Sequence, residues 1–322
     1  MGTLKKIVAA AGLLAAAGIG ETVYFYNRTM KRTNARTDRT MKMSGTDWEK
    51  YFPLMEERRG FVMEQPHRDV YMTSFDGLKL HATYFPAIEK SDIKKAVICF
   101  HGYTGEGLSN HIAIADYFLK HGYAILLPDA RAHGESEGEY IGFGCLDRKD
   151  ALDWIKWLMQ ECGEAVEIML HGTSMGGATV LMTSGLKLPA NVKGIVSDCG
   201  FTSPKEVFTH VLNSMYHLPA FPAIQGADLL NKKLAGYGMD ECNAKYEVRK
   251  AQVPILFIHG SADTFVPCSM CHEIYVNCSS PKRKLIVEGA AHAESYYKAM
   301  DTYEKALDEF AEEIFGGEGK AE

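Results

Sequence analysis

The chain lacks most of the features that mark specialised classes of protein. There is no internal repeat, and no low-complexity tract beyond an alanine-rich stretch near the N-terminus, which excludes a collagen-like fibre. Its 322 residues are 46% hydrophobic and 24% charged, so neither a mostly disordered chain nor a multi-span membrane protein fits. Cysteine is sparse: eight residues scattered through a chain this long are not the dense disulfide framework of a small secreted domain. Several, such as Cys99 in AVICF, sit inside apolar runs where a reduced thiol acts as a small hydrophobe. The stretch Cys268-Ser-Met-Cys271-His272 has the spacing of a haem-attachment or metal motif, but no second cysteine pair or axial partner accompanies it. No metal or cofactor is expected.

A basic surplus is missing as well. The chain carries 35 Lys and Arg against 41 Asp and Glu, a net charge of −6, and the imbalance is uneven. Residues 1–46 hold eight basic residues against Glu21 and Asp38, which leaves the remainder with 27 basic and 39 acidic residues, a net of −12. An acidic body excludes nucleic acid as a partner, because phosphate binding needs a basic face.

The basic segment adjoins an unbroken apolar run from Ile7 to Gly20, interrupted by Glu21 and extended by Thr22 to Tyr26 to about the 20 residues that cross a bilayer. Residues 1–27 are therefore expected to anchor the chain in a membrane, with Tyr24, Phe25 and Tyr26 at the interface. A cleaved signal peptide and a frayed amphipathic helix are the alternatives. More positive charge follows the segment than precedes it, which puts the body on the cytoplasmic side of an anchor; secretion after cleavage is the alternative.

After a basic linker and a surface helix (residues 28–67, helical from Asp47 to Gln65), short apolar runs alternate with longer amphipathic ones. Eight strands are expected: Val70–Ser74, Lys79–Tyr84, Lys95–Phe100, Ala124–Pro128, Glu167–Leu170, Gly194–Asp198, Pro254–His259 and Lys284–Glu288. A hairpin turn at Phe75-Asp76-Gly77 joins the first two. Helices are expected over Asn110–His121, Cys145–Glu161, Gly176–Lys187, Pro267–Cys278 and Ala293–Phe315. A hairpin feeding a β-α-β series predicts a mostly parallel, eight-stranded twisted α/β sheet with helices on both faces. The alternation stops over about residues 201–251, a stretch rich in Leu, Met, Phe, Pro and Tyr, which reads as an inserted helical lid on a domain spanning 68–315. Residues 316–322 are expected to be a flexible tail. Trp154 and Trp157, spaced i, i+3, read as core.

Gly172-Thr-Ser174-Met-Gly176 follows a strand directly and opens a helix. A tight strand-to-helix turn forces its serine into strained backbone geometry and lifts the hydroxyl above the C-terminal edge of the sheet. A serine hydroxyl is a poor nucleophile until a base takes its proton. His292 lies just past the last strand and Asp263 just past the penultimate one, so the chain order is Ser, Asp, His. Asp198 is the rival acid, and His133 a weaker rival base. His101-Gly-Tyr103-Thr-Gly follows the first strand after the hairpin; the backbone N–H groups of Tyr103 and Met175 are the candidate oxyanion donors.

The segments HGYTG, GTSMGG, HGSADTFVP and GAAHAES, in this order and spacing, resemble the serine α/β-hydrolase superfamily over about residues 68–315. Within it the chain looks most similar to bacterial esterase and acyl-hydrolase branches, including feruloyl-esterase-like and peptidase-like proteins. Asp129 to Ser136 looks like the loop after the next strand in that superfamily, a surface turn fixed by Arg131 and His133. The resemblance implies hydrolysis of a small-molecule ester through Ser174, Asp263 and His292 without a metal. A peptidase or amidase, a thioesterase or an acyltransferase on the same three residues, or a tethered binding module without chemistry, are the alternatives. In the lid, Phe201, Phe208, Met215, Tyr216, Leu218, Phe221 and Leu229 are candidates to wall an apolar acyl pocket. Simple burial of the lid on the body explains them equally well.

Overall fold

The computed structural model of the protein describes residues 20, 22–32, 45–87 and 95–316. Strands β1 (Arg68–Thr73), β2 (Lys79–Phe85), β3 (Lys95–Phe100), β4 (Ala124–Pro128), β5 (Glu167–Thr173), β6 (Val192–Asp198), β7 (Ile255–Gly260) and β8 (Lys282–Val287) form one sheet in the order β1-β2-β4-β3-β5-β6-β7-β8. The β1–β2 and β2–β4 pairs are antiparallel and the rest parallel, as a hairpin followed by crossovers requires. All eight strands lie where the apolar runs put them.

Both faces of the sheet are covered, so successive residues of a central strand enter opposite cores. Ile98, Leu126 and Leu170 pack into the layer that holds Trp154. Val97, Cys99, Ile125 and Met169 pack into the layer that holds Phe118 and Phe310. The helices responsible are α4 (Asp147–Cys162) on the first face, and α3 (Gly107–Lys120) and α11 (Met300–Phe315) on the second; α1 and α2 precede the sheet, as residues 22–29 and Phe52–Glu64. The single C-terminal helix expected from Ala293 is instead broken at Ala299 into α10 (Ser295–Lys298) and α11. The break lets Tyr296 and Tyr303 both bury, their rings meeting edge to face with centroids 5.2 Å apart.

Beyond β5 the chain enters α5 (Met175–Thr183), and between β6 and β7 it adds α6 (Pro204–Met215), α7 (Ala223–Leu234) and the short α8 (Ala244–Glu247). The segment between β6 and β7 thus carries three helices joined by irregular stretches, and α9 (Cys268–Asn277) follows β7.

Two expectations need correction. The Asp129–Ser136 loop is not a surface turn: Arg131 and His133 are both buried. Arg131 grips Asp150 with two bonds of 2.8 Å and reaches Asp76 in the β1–β2 hairpin at 2.8 Å, locking the hairpin to α4. Burial drives the His133 imidazole down to about 3, so it stays neutral, with Nδ1 3.0 Å from the Arg131 carbonyl.

The second concerns the N-terminal segment. Tyr26 is 1% exposed and donates to Asn231 on α7 at 3.2 Å, so it sits in the protein core and not at a membrane interface. Residue 31 bridges to Tyr140, and the Arg32 guanidinium donates to the carbonyls of Gly134 and Ser136, so this part of the presumed linker is clamped to the body. Among the described residues no helix is long and apolar enough to cross a membrane. Residues 1–19 and 21, which carry most of the expected anchor, lie outside the described residues, as do 33–44 and the tail from 317.

Removing one member of a buried ion pair leaves the other charge uncompensated, at roughly 3–5 kcal/mol. Arg131→Ala is expected to lose stability on that scale in urea unfolding. Arg131→Lys should recover only part of it, because an ammonium cannot reproduce the two-pronged bond to Asp150.

Candidate active site

Ser174 stands between β5 and α5 with φ 57° and ψ −113°, a conformation that costs a non-glycine residue about 1–3 kcal/mol. The surroundings hold it there. Its N–H donates to the Asp198 carbonyl at the end of β6 at 2.8 Å, and its carbonyl accepts from Ala178 at 2.9 Å. The turn also needs bare backbone: a Cβ on Gly172 would collide with the Gly176 carbonyl, and one on Gly176 with the Phe100 carbonyl at the end of β3. The small residues of the GTSMGG stretch therefore let helix and strands close to contact around the serine.

His292, on the loop after β8, brings Nε2 to 2.7 Å from Ser174 Oγ. Its Nδ1 lies 2.7 Å from Asp263 Oδ2, on the loop after β7. The other oxygen of Asp263 accepts N–H groups from Phe265 at 2.9 Å and Val266 at 2.8 Å, which fixes the carboxylate. Burial alone would raise the Asp263 pKa; the charge of His292 and bonds from His259 and His292 outweigh it and hold the carboxyl well below its usual range. The three residues singled out in the sequence thus form one continuous chain of hydrogen bonds.

Asp198, the rival acid, is differently placed. His292 Nδ1 is taken by Asp263, and one Asp198 carboxylate oxygen is buried without a hydrogen-bond partner. Burial pushes its pKa up to about 6. Asp198 serves the site through its backbone carbonyl instead.

The backbone of Gly102 passes against Ser174, with 3.4 Å from an ideal Gly102 Cβ position to the Ser174 Cβ. Tyr103 follows it and Met175 is the first residue of α5, where helix N–H groups have no acceptor within the helix. Both candidate oxyanion donors therefore flank the serine. Among the described residues, one group of side chains is close enough to hold a metal: Cys199, Asp263 and His292, with ligand atoms within 4.8 Å of one another. Two of these already bond in the chain that ends at Ser174, so the donor set does not suit a metal centre.

Two cavities meet at Ser174, each also touching Tyr103, Thr104 and Phe265. One, of about 560 Å³, runs past Trp48, Phe52, Met55 and Arg59 on and before α2. The other, of about 700 Å³, lies under α6 and α7. Of the lid residues proposed from sequence, Phe201, Phe208 and Tyr216 line it. Met215 and Phe221 do not: Phe221, in the turn between α6 and α7, is 72% exposed, and Leu229 on α7 is 67% exposed.

Residues 95–223 match the family model for the alpha/beta hydrolase fold. The chain has the α/β-hydrolase fold. It is 28% identical to the uncharacterized protein YqkD of Bacillus subtilis over 97% of this chain and 98% of that one. An esterase structure from Pyrococcus furiosus superposes with a TM-score of 0.64 at 21% identity, over 79% of this chain and 93% of that one. A puromycin-hydrolyzing peptidase from Mycobacterium tuberculosis does so with a TM-score of 0.63 at 17% identity, over 78% of this chain and 40% of that one. Together these show the fold.

Sequence reasoning missed the residues that steady the histidine loop on this α/β-hydrolase fold. Thr46 donates to the His292 carbonyl at 2.9 Å, and Lys50 and Tyr51 reach Glu294 at 2.7 and 2.8 Å. Nothing local in the sequence signals these contacts, which join residues some 240 positions apart.

The raised pKa of Asp198 carries a pH signature. The folded state holds the proton more tightly than the unfolded one, so the carboxyl costs nothing below about pH 4, destabilises increasingly as pH rises from there to about 6, and costs a constant amount above that. Asp198→Asn should therefore raise Tm more at pH 8 than at pH 4.5, with an upper bound of about 3 kcal/mol in relative stability, measured by thermal unfolding at both values.

Proposed function

We propose that the protein is a serine esterase that cleaves carboxylic esters through an acyl-enzyme, with Ser174 as nucleophile, His292 as base and Asp263 as its orienting acid. The observation that carries this reading is the pair of 2.7 Å contacts, Ser174 Oγ to His292 Nε2 and His292 Nδ1 to Asp263 Oδ2, beside two cavities that open on the serine.

His292 takes the hydroxyl proton as Ser174 Oγ attacks the ester carbonyl. The new oxyanion is held by the N–H groups of Tyr103 and Met175; one such donor is worth about 2.7–4 kcal/mol in the transition state. His292, now protonated beside the Asp263 carboxylate, gives its proton to the departing alcohol as the carbon–oxygen bond breaks. Water then attacks the acyl-enzyme with His292 again as base, and Ser174 recovers its proton. Asp263 stays ionised throughout, in keeping with its lowered pKa.

The same arrangement supports amide and thioester cleavage, and the fold neighbours include peptidases. The acidic body gives no surface for nucleic acid. A membrane anchor with the catalytic body on the cytoplasmic side stays part of the proposal, supported only by the apolar run before Glu21 and the charge asymmetry around it.

Hydrolysis of p-nitrophenyl esters by the full chain is expected to fall at least a thousandfold in Ser174→Ala, and on the order of 10⁴-fold in kcat in Asp263→Asn, which leaves His292 in the wrong tautomer. Ester hydrolysis retained at more than a few per cent in folded Ser174→Ala would exclude the mechanism. Anilides and acyl thioesters in the same assay separate an esterase from a peptidase or thioesterase.

A further inference from the structure

The cavity of about 700 Å³ is not enclosed by the lid alone. On one side stand Phe208, Leu212, Tyr216 and Ile224 from α6 and α7; on the other stand Phe25 and its neighbours on α1. The Phe25 ring meets Tyr216 edge to face, with centroids 5.9 Å apart.

Helix α1 is built into the body as a wall would be. Tyr26 is buried and bonded to Asn231, and Met30 is fully buried. Thr22 is received at Gly226, where a Cβ would come within 2.9 Å of the threonine methyl. The Tyr103 hydroxyl donates to the Thr29 carbonyl at 3.1 Å, tying α1 to the residue beside Ser174 that is proposed to hold the oxyanion. A side chain on α1 is thus held in a defined place relative to the reacting atoms.

The chemistry of the cavity selects its occupant. Among the described residues, the only charged side chains on its lining are Arg28, which is exposed, and Arg32, whose guanidinium is bonded to two carbonyls. The rest of the lining is mainly aromatic and aliphatic, with Thr22, Asn27, Thr29 and Thr104 among it, which suits a hydrocarbon chain that needs few hydrogen bonds. The second cavity, with Arg59, Asn110 and Ser109 on its lining, suits the more polar leaving group on the other side of the same serine.

Resting on the esterase reading, we infer that α1 is the specificity-determining wall of the acyl site, and that Phe25, opposed to Tyr216, sets the length of the linear acyl chain accepted, favouring medium-chain fatty acyl esters over acetyl esters.

The test is a series of p-nitrophenyl esters from acetate through butyrate and octanoate to dodecanoate, with kcat/KM measured for the full-length protein and its Phe25→Ala, Phe25→Trp and Ser174→Ala variants. In Phe25→Ala the dodecanoate-to-butyrate ratio is expected to rise about tenfold, because the opened wall lets roughly two further methylenes bury. Phe25→Trp, which fills the space, should move the optimum to a shorter chain. Phe25 is only half-buried, so neither change removes a core side chain, and melting curves check that each variant is folded. Should one variant fail to fold, the other carries the test. Ratios within twofold of the parent in a folded Phe25 variant, with hydrolysis still abolished in Ser174→Ala, would overturn the inference and leave the esterase reading standing. Hydrolysis that survives in Ser174→Ala, or an absence of ester hydrolysis in the parent, would remove both.

Discussion

The site depends on one unfavourable backbone conformation. Ser174 adopts φ 57° because three strands converge on the turn that contains it: β5 leads in, the Phe100 carbonyl of β3 abuts Gly176, and the Asp198 carbonyl of β6 accepts the Ser174 N–H. A strain of about 1–3 kcal/mol persists only where the surroundings over-determine it. Here the over-determination is the central sheet itself, buried on both faces. A hydroxyl raised in this way projects above the C-terminal ends of the parallel strands. The loops after β7 and β8 are then within reach of it, which is why Asp263 and His292 converge there from 29 residues apart.

Two buried carboxyl groups close to the histidine have been driven in opposite directions. Asp263 has two backbone N–H donors and the imidazoles of His259 and His292 around it, and these outweigh burial. Asp198 lacks a partner for one oxygen, and burial prevails. Groups whose environments separate their pKa values take on separate roles. The ionised one orients the histidine, and the other contributes a backbone carbonyl to the serine turn.

Much of this was legible in the sequence because it has a local signature. The strands alternate or run apolar over five to seven residues, and the glycine-flanked serine, the aspartate and the histidine each follow a strand directly. What escaped has no such mark. The break at Ala299 reflects where two tyrosines must pack, which helical periodicity does not record. Arg131 looks like a surface arginine until the hairpin Asp76 and helix Asp150 are brought to it in space. Composition suggested that the aromatics of this insertion face a pocket, but composition cannot say which of them lie on an inward helix face and which in an exposed turn: Phe208 lines the cavity, and Phe221, between the helices, is exposed.

The cluster Tyr24, Phe25 and Tyr26 illustrates a deeper ambiguity. A membrane interface and an aromatic-lined cavity both favour rings with a polar edge, so hydropathy gives the same signal for either. Hydrogen bonding and packing separate them. The Tyr26 hydroxyl is bonded to the Asn231 amide inside the protein, and Asn231 itself donates to the Tyr237 carbonyl, so the ring is placed by a buried network that a lipid interface does not offer. Only Tyr24 and Val23 of this stretch are largely exposed among the described residues. Any apolar segment preceding residue 22 is therefore joined to the body through a helix that is itself part of the wall of the cavity at Ser174. Cutting the chain after Tyr26, where hydropathy alone would end an anchor, removes Phe25 and Thr22 from that wall and the Tyr26 bond from α7. The proposed anchor and the proposed acyl site thus share helix α1.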